Sequence, residues 1–236
     1  WHQVKINATT VLSNIIALRG QVASDTKGAF VALTYSASGY KAYTWGMSAY
    51  KGDNTNASAL GYATEMTLPS GVTPRMIAIT GGFYDAANTN TPLQRNNSYY
   101  LVATNGNVYG LGANDVKQLG DLTTTERKTW VQPKLNATTF LTNVKYLSAQ
   151  EHDSRHPAAG VITNTGDLYL WGQNGGNMLG SSNTDASFDP FLPSGFTSGV
   201  DIAKVMEVGG HTTVYLKENS AKFCYVGHKT QGSMGD

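Results

Sequence analysis

Trp1-His2-Gln3-Val4-Lys5-Ile6-Asn7-Ala8-Thr9-Thr10-Val11-Leu12-Ser13-Asn14-Ile15 is written again at Trp130-Val131-Gln132-Pro133-Lys134-Leu135-Asn136-Ala137-Thr138-Thr139-Phe140-Leu141-Thr142-Asn143-Val144. The offset is a constant 129 residues. An internal echo at fixed spacing marks a repeat architecture, in which the copied segments build a scaffold and activity sits where the copies differ. A second echo lies inside the first: Leu68-Pro69-Ser70-Gly71 returns as Leu192-Pro193-Ser194-Gly195, and Gly81-Gly82 as Gly209-Gly210. The long period therefore holds two shorter units.

Each unit has an aromatic or aliphatic corner ending in glycine: Thr44-Trp45-Gly46, Gly110-Leu111-Gly112, Leu170-Trp171-Gly172 and Tyr225-Val226-Gly227. A second glycine follows eight residues on at Gly120, Gly180 and Gly235, and six residues on at Gly52 in the first unit. Hairpin writing precedes the corners. Tyr99 to Ala103 runs through Asn105-Gly106 into Asn107-Val108-Tyr109, and Gly160-Val161-Ile162 runs through Thr165-Gly166-Asp167 into Leu168 to Trp171. Short β-branched and aromatic runs joined by such dipeptides are antiparallel hairpins. An earlier strand candidate opens each unit, at 14–18, 76–79, 143–147 and 204–208, and no segment carries a helical stripe of useful length.

Several short strands per unit of about 50–65 residues predict an all-β fold, a β-propeller of four-stranded antiparallel blades. About four repeats are present, and the chain reads as a single repeat domain over 1–236 with corners near 45–46, 111–112, 171–172 and 226–227. A blade cannot cover both faces of its own sheet, so it needs neighbours. Glycine at the corner permits positive φ and close approach. Trp45 and Trp171 are expected to fill the space between blades.

Composition narrows function by exclusion. Charged residues make up 14% of the 236, with formal net charge +1 and no cationic run longer than Arg127-Lys128, so nucleic acid and anionic membrane are not expected partners. Cys224 is the one cysteine. It cannot close an internal disulfide or build a cysteine zinc site, and its apolar flanks predict a buried small hydrophobe. No apolar run approaches the length of a membrane span. The chain begins at Trp1, not Met, which predicts a longer natural polypeptide. Asn7, Asn56, Asn96 and Asn136 each stand in an Asn-x-Ser/Thr context. Low charge with abundant Thr, Asn and Gly leans toward an exported, extracellular or cell-surface protein.

These residues resemble the regulator of chromosome condensation repeat. Gly209-Gly210-His211-Thr212 is similar to the start of that family's unit. Leu168-Tyr169-Leu170-Trp171-Gly172-Gln173-Asn174 with Met178-Leu179-Gly180 is similar to its close, as is Gly112-Ala113-Asn114 followed by Gln118-Leu119-Gly120-Asp121. The Leu122-Thr123-Thr124-Thr125 tail is similar to bacterial members. The resemblance implies a propeller, usually of seven blades, that works by presenting a face to a partner. Four units would then be part of a larger propeller, with a closed ring of four as the alternative. Only one unit keeps the Gly-Gly-x-His motif intact.

Aligning the units puts their insertions at one place, before the second strand: 21–28 in the first, Phe83 through Ser98 in the second, 150–157 in the third, and none in the fourth. Insertions at equivalent positions project from one face, the expected binding surface. Phe83, Tyr84, Arg95, His152, Arg155 and His156 are its candidate binding residues. Glu151-His152-Asp153-Ser154-Arg155-His156 is the densest chemistry in the chain. Pro157 argues against the helix that would give the two histidines metal-binding spacing, and Ser, His and Asp adjacent in sequence are not a triad. Asp53-Asn54-Thr55-Asn56 lacks the spaced ligands of a calcium loop. No phosphate loop, zinc-protease helix or nucleophile elbow is present. The reading is a non-enzymatic module without cofactor or metal, binding a protein or glycan partner at a bacterial cell surface. The alternatives are a nucleotide-exchange factor or chromatin-associated propeller, and a propeller enzyme using the 150–157 loop.

Overall fold

The computed structural model describes residues 1–24, 27–81, 96–151, 156–183, 186–209, 211–218 and 221–227. All regular structure among them is β, apart from a 3-10 turn at Gly175–Asn177 and 3-10 geometry at Glu218. The strands fall into consecutive antiparallel meanders. Blade 1 holds β1 (Ile15–Ser24), β2 (Lys27–Ser36), β3 (Gly39–Ala49) and β4 (Ser58–Glu65); blade 2 holds β5 (Pro74–Gly81), β6 (Asn97–Ala103), β7 (Val108–Gly112) and β8 (Arg127–Val131). A two-stranded hairpin, β9 (Lys134–Asn136) and β10 (Thr139–Phe140), leads into blade 3: β11 (Val144–Ala149), β12 (Ala158–Thr163), β13 (Leu168–Gln173) and β14 (Ser187–Phe191). Blade 4 shows three described strands, β15 (Ala203–Val208), β16 (Thr212–Lys217) and β17 (Lys222–Gly227).

The echo in the sequence is an echo in hydrogen bonds. Asn7 Oδ1 accepts from the Thr9 amide and hydroxyl, and Asn136 Oδ1 accepts from those of Thr138. The Leu12 amide donates to Val4 O as Leu141 does to Pro133 O, and Tyr35 to Asn14 O as Asn164 to Asn143 O. Lys5 bridges Val11 where Lys134 pairs with Phe140. Asn14 and Asn143 both hold positive φ, 56° and 60°, a conformation asparagine tolerates better than most residues. The quoted stretch is thus a small hairpin stitched to the first strand of the blade that follows.

The core lies between blades, not within one. Val31, Leu33, Tyr50 and Met66 of blade 1 pack on Ile77, Ile79, Tyr99 and Leu111 of blade 2. Tyr100, Val102, Val108 and Leu119 of blade 2 pack on Leu141, Leu147, Val161 and Trp171 of blade 3. Ile162, Leu168, Met178 and Leu179 of blade 3 pack on Phe196, Met206, Val208 and Tyr215 of blade 4. Alternate side chains of one strand serve opposite faces: Ile77 and Ile79 face blade 1 while Ala78 faces blade 3. Both faces of a sheet are buried this way, which is why β6 and β12 are buried along their whole length.

The corner glycines explain the period. Gly46, Gly112, Gly172 and Gly227 have φ of 101°, 115°, 102° and 121°. A Cβ on each would collide with a backbone carbonyl of the neighbouring strand, those of Gly28, Asn97, Pro157 and His211 respectively. The second glycines serve the next interface: a Cβ on Gly120 would press on Trp171 and Pro190, and one on Gly180 on Pro193 and Val226. Gly235 lies outside the described residues.

Candidate functional site

The inner strand of each blade ends where the insertions begin, so all four connections leave from the same end of the molecule. They span 25–26, 82–96, 150–157 and 209–211, while the strands on either side keep one register. Gly20↔Phe30, Ile79↔Tyr99, Ala149↔Ala159 and Val208↔Thr213 are the same pair in four copies. The first insertion differs from the loop expected at 21–28: Gln21↔Ala29, Val22↔Gly28 and Ser24↔Lys27 pair, so it prolongs the β1–β2 hairpin.

Of the six residues singled out for binding, His156 is described; Phe83, Tyr84, Arg95, His152 and Arg155 lie outside the described residues. The His156 ring meets His211 of blade 4 edge-on at 5.1 Å between centroids, and a Cβ on Gly175 would strike the same ring. His156 therefore sits at the seam between blades 3 and 4. Among the described residues no group of three His, Cys, Asp or Glu side chains could hold a metal. Cys224, expected to be buried, is half-buried and packs against the blade 3–4 core.

Trp171 is fully buried. Its Nε1–H donates to Gln118 O at 2.8 Å, the carbonyl that also accepts the Tyr100 hydroxyl at 2.6 Å, and the two rings meet edge-on. It fills the blade 2–3 gap as expected. Trp45 occupies the same place in blade 1 but is only half-buried, stacked on Phe30 at 5.5 Å. The Asn114 and Asn174 that follow two corners organise the turns. Their Oδ1 atoms accept the Leu119 and Leu179 amides, and their Nδ2 groups donate across the turn to Thr123 O and Asn183 O.

A cavity of about 360 Å³ opens on the common axis. Arg19, Ala78, Ser148 and Glu207 line it, and they hold one register position, opposite Val31, Tyr100, Gly160 and Val214. Glu151 joins them from the start of the blade 3 connection, with Oε1 3.5 Å from Arg19 Nε. Burial pushes the Glu151 carboxyl up to about 7, Arg19 pulling it down only in part and Glu207 adding to the rise. Glu207 is raised too, chiefly by burial, against a hydrogen bond from Ser148 and the charge of Arg19. Phe30 and Tyr146 give the cavity apolar walls. Its described lining thus sets two carboxylates and one guanidinium around a polar opening. Reading by loops missed Arg19, Ser148 and Glu207. Their shared register was the available signal, and it becomes visible only when each inner strand is aligned on its hairpin.

No protein-family model matches the chain, and no curated protein matches it in sequence. Solved structures do match in shape. Human WBSCR16 superposes with a TM-score of 0.56 at 17% identity, over 80% of this chain and 42% of that one. A structure of Kap60 bound to yeast RCC1 (Prp20) gives 0.55 at 14% identity, over 86% and 40%. Prp20p from Saccharomyces cerevisiae, in a study of its binding to Gsp1p and histones, gives 0.52 at 17%, over 86% and 42%. The chain spans about two-fifths of the length of these structures. The likeness shows the fold alone: antiparallel blades of a β-propeller, as in these structures.

Proposed function

We propose that the chain is a non-catalytic propeller module of an exported, cell-surface protein, and that it binds a protein or glycan partner through the end that carries the inner-strand connections. One observation supports this above the rest. Four blades hold a single register while the connections at that end run from two residues, 25–26, to fifteen, 82–96. A rigid frame that carries its widest variation in loop length at one rim is how loops present specificity.

The test is capture on a glycan array and from a cell-surface protein extract, using the intact chain and a variant in which residues 82–95 become Gly-Ser-Gly. Loss of capture with an unchanged circular-dichroism spectrum and melting temperature supports the reading; equal capture by both overturns it. The fold likeness to the Prp20 structures favours one second reading, a nucleotide-exchange factor or chromatin-associated propeller. Faster release of a fluorescent GDP from a small GTPase on addition of the chain would favour that reading instead.

A further inference from the structure

The chain holds four Asn-x-Ser/Thr sequences, at Asn7, Asn56, Asn96 and Asn136. In a folded protein such a sequence can take an asparagine-linked sugar where it stands at the surface, and the fold sorts the four. Asn136 ends β9, on the exposed tip 136–140 of the β9–β10 hairpin. Its Oδ1 accepts the Thr138 amide at 3.0 Å and the Thr138 hydroxyl at 3.1 Å. The hydroxyl that defines the motif therefore already lies on the amide it serves. Nδ2 donates to no group among the described residues. Residues 96–151 around it are described without a break, with blade 2 before the hairpin and blade 3 after it. The exposure of this tip thus owes nothing to either end of the sequence. Asn7 repeats the geometry, its Oδ1 accepting the Thr9 amide at 3.0 Å, the Thr9 hydroxyl at 3.2 Å and the Thr10 amide at 2.8 Å.

The other two are built differently. Asn96 Nδ2 is engaged, donating to the Tyr50 hydroxyl at 2.9 Å. Its Ser98 is fully buried, and that hydroxyl donates to Ala113 O instead. Freeing the Asn96 motif would mean pulling Asn97 and Ser98 away from their strand partners Gly81, Thr80 and Gly112. Asn56 is exposed, but no hydrogen bond joins it to Ser58, so its amide and hydroxyl are not preset.

We infer that the folded chain accepts an asparagine-linked oligosaccharide at Asn136 and at its copy Asn7. This rests on the exported, cell-surface reading for the compartment in which the sugar donor is met. In the transfer, Asn136 Nδ2 forms a bond to the anomeric carbon of a polyprenyl pyrophosphate-linked oligosaccharide. The bond from that carbon to the pyrophosphate oxygen breaks, and the lipid pyrophosphate leaves. One Nδ2 proton passes to a carboxylate base of the transferase, and no oxidant or reductant takes part. The two hydrogen bonds from Thr138 fix the plane of the amide before the transferase arrives, so less orientation is left to the encounter. Because the motif rides on the copied hairpin, each 129-residue period brings one acceptor with it.

The test incubates the intact folded chain with a polyprenyl pyrophosphate-linked oligosaccharide and a single-subunit oligosaccharyl transferase that requires only Asn-x-Ser/Thr. Modified peptides are mapped by mass over time. Addition is expected at Asn136 and Asn7, later addition at Asn56, and none at Asn96. Asn136→Gln is expected to lose the addition on that peptide alone, and a melting temperature near that of the parent shows that the fold is kept. No addition at Asn136 overturns the inference, as does addition at Asn96 at the same rate. So does Asn56 filling as fast as Asn136, which would leave the preset hydrogen bonds without effect. The assay needs neither export nor a partner. Its failure therefore leaves the capture experiment standing, and failure of capture leaves this site standing.

Discussion

Glycine at residue 172 is required by two independent facts. Its φ of 102° is closed to most side chains, and a Cβ there would strike Pro157 O. Gly172→Ala is expected to lower stability by roughly 2–4 kcal/mol, the sum of backbone strain and a carbonyl that cannot move freely within a sheet. Gly195 has φ of 81° but nothing near its missing Cβ, so Gly195→Ala is expected to cost only about 1 kcal/mol. Urea unfolding of the two variants, side by side, separates collision from strain. The corner glycines were legible in the sequence because the same carbonyl forbids a side chain in all four copies. Arg19, Ser148 and Glu207 were not, because three different residue types at one register position leave no pattern in composition or spacing.

At the scale of the element, the seam between two sheets carries the stability. Trp171 buries its whole indole and satisfies its one donor on Gln118 O, whereas Trp45 has the same place in its blade without a sheet against it. Trp171→Ala is expected to cost about 3–5 kcal/mol, and Trp45→Ala clearly less, by the cavity each leaves. Thermal denaturation ranks the two. The strands themselves were readable from alternation and turn dipeptides: β5 and β15 contain the segments expected to open their units, and β11 contains all of its segment but Asn143. The β1–β2 connection was misread as a loop. Gln21 through Gly28 has few of the β-branched residues that mark strands, yet the chain pairs there because it continues a hairpin already in register. The small hairpins at Lys5 to Val11 and Lys134 to Phe140 were seen as an echo without their shape, since their Asn-Ala-Thr-Thr tip reads equally well as an open loop.

For the molecule as a whole, the axial carboxylates set a pH dependence. Glu151 has an ordinary value of 4.5 and is pushed up to about 7 in the fold. Between those values the folded chain holds a proton that the unfolded chain has lost, so stability contributed here falls as pH rises from about 4.5 to 7. Glu151→Gln is expected to flatten that decline, seen as a smaller change in urea midpoint between pH 5 and pH 8. Asp121 acts in the opposite sense. Burial works against its charge, but hydrogen bonds from Thr123, Arg127 and Asn114 outweigh burial and hold it below 3.8, so its contribution is lost only as pH falls through that lowered value. The expected architecture, blades of antiparallel strands in register, stands in the structure. What the rim binds was not readable, because the connections that would recognise a partner are the parts that differ from copy to copy.

The interleaved core has a consequence for how such chains change length. Each seam is built from two unlike surfaces, and the 129-residue period carries one matched set of both. A module of two blades therefore brings its own complementary faces wherever it is inserted. Unequal recombination between related copies would add or delete blades in pairs without redesigning a single contact. Insertion of one blade alone would set a tryptophan-bearing face against a partner shaped for a different neighbour.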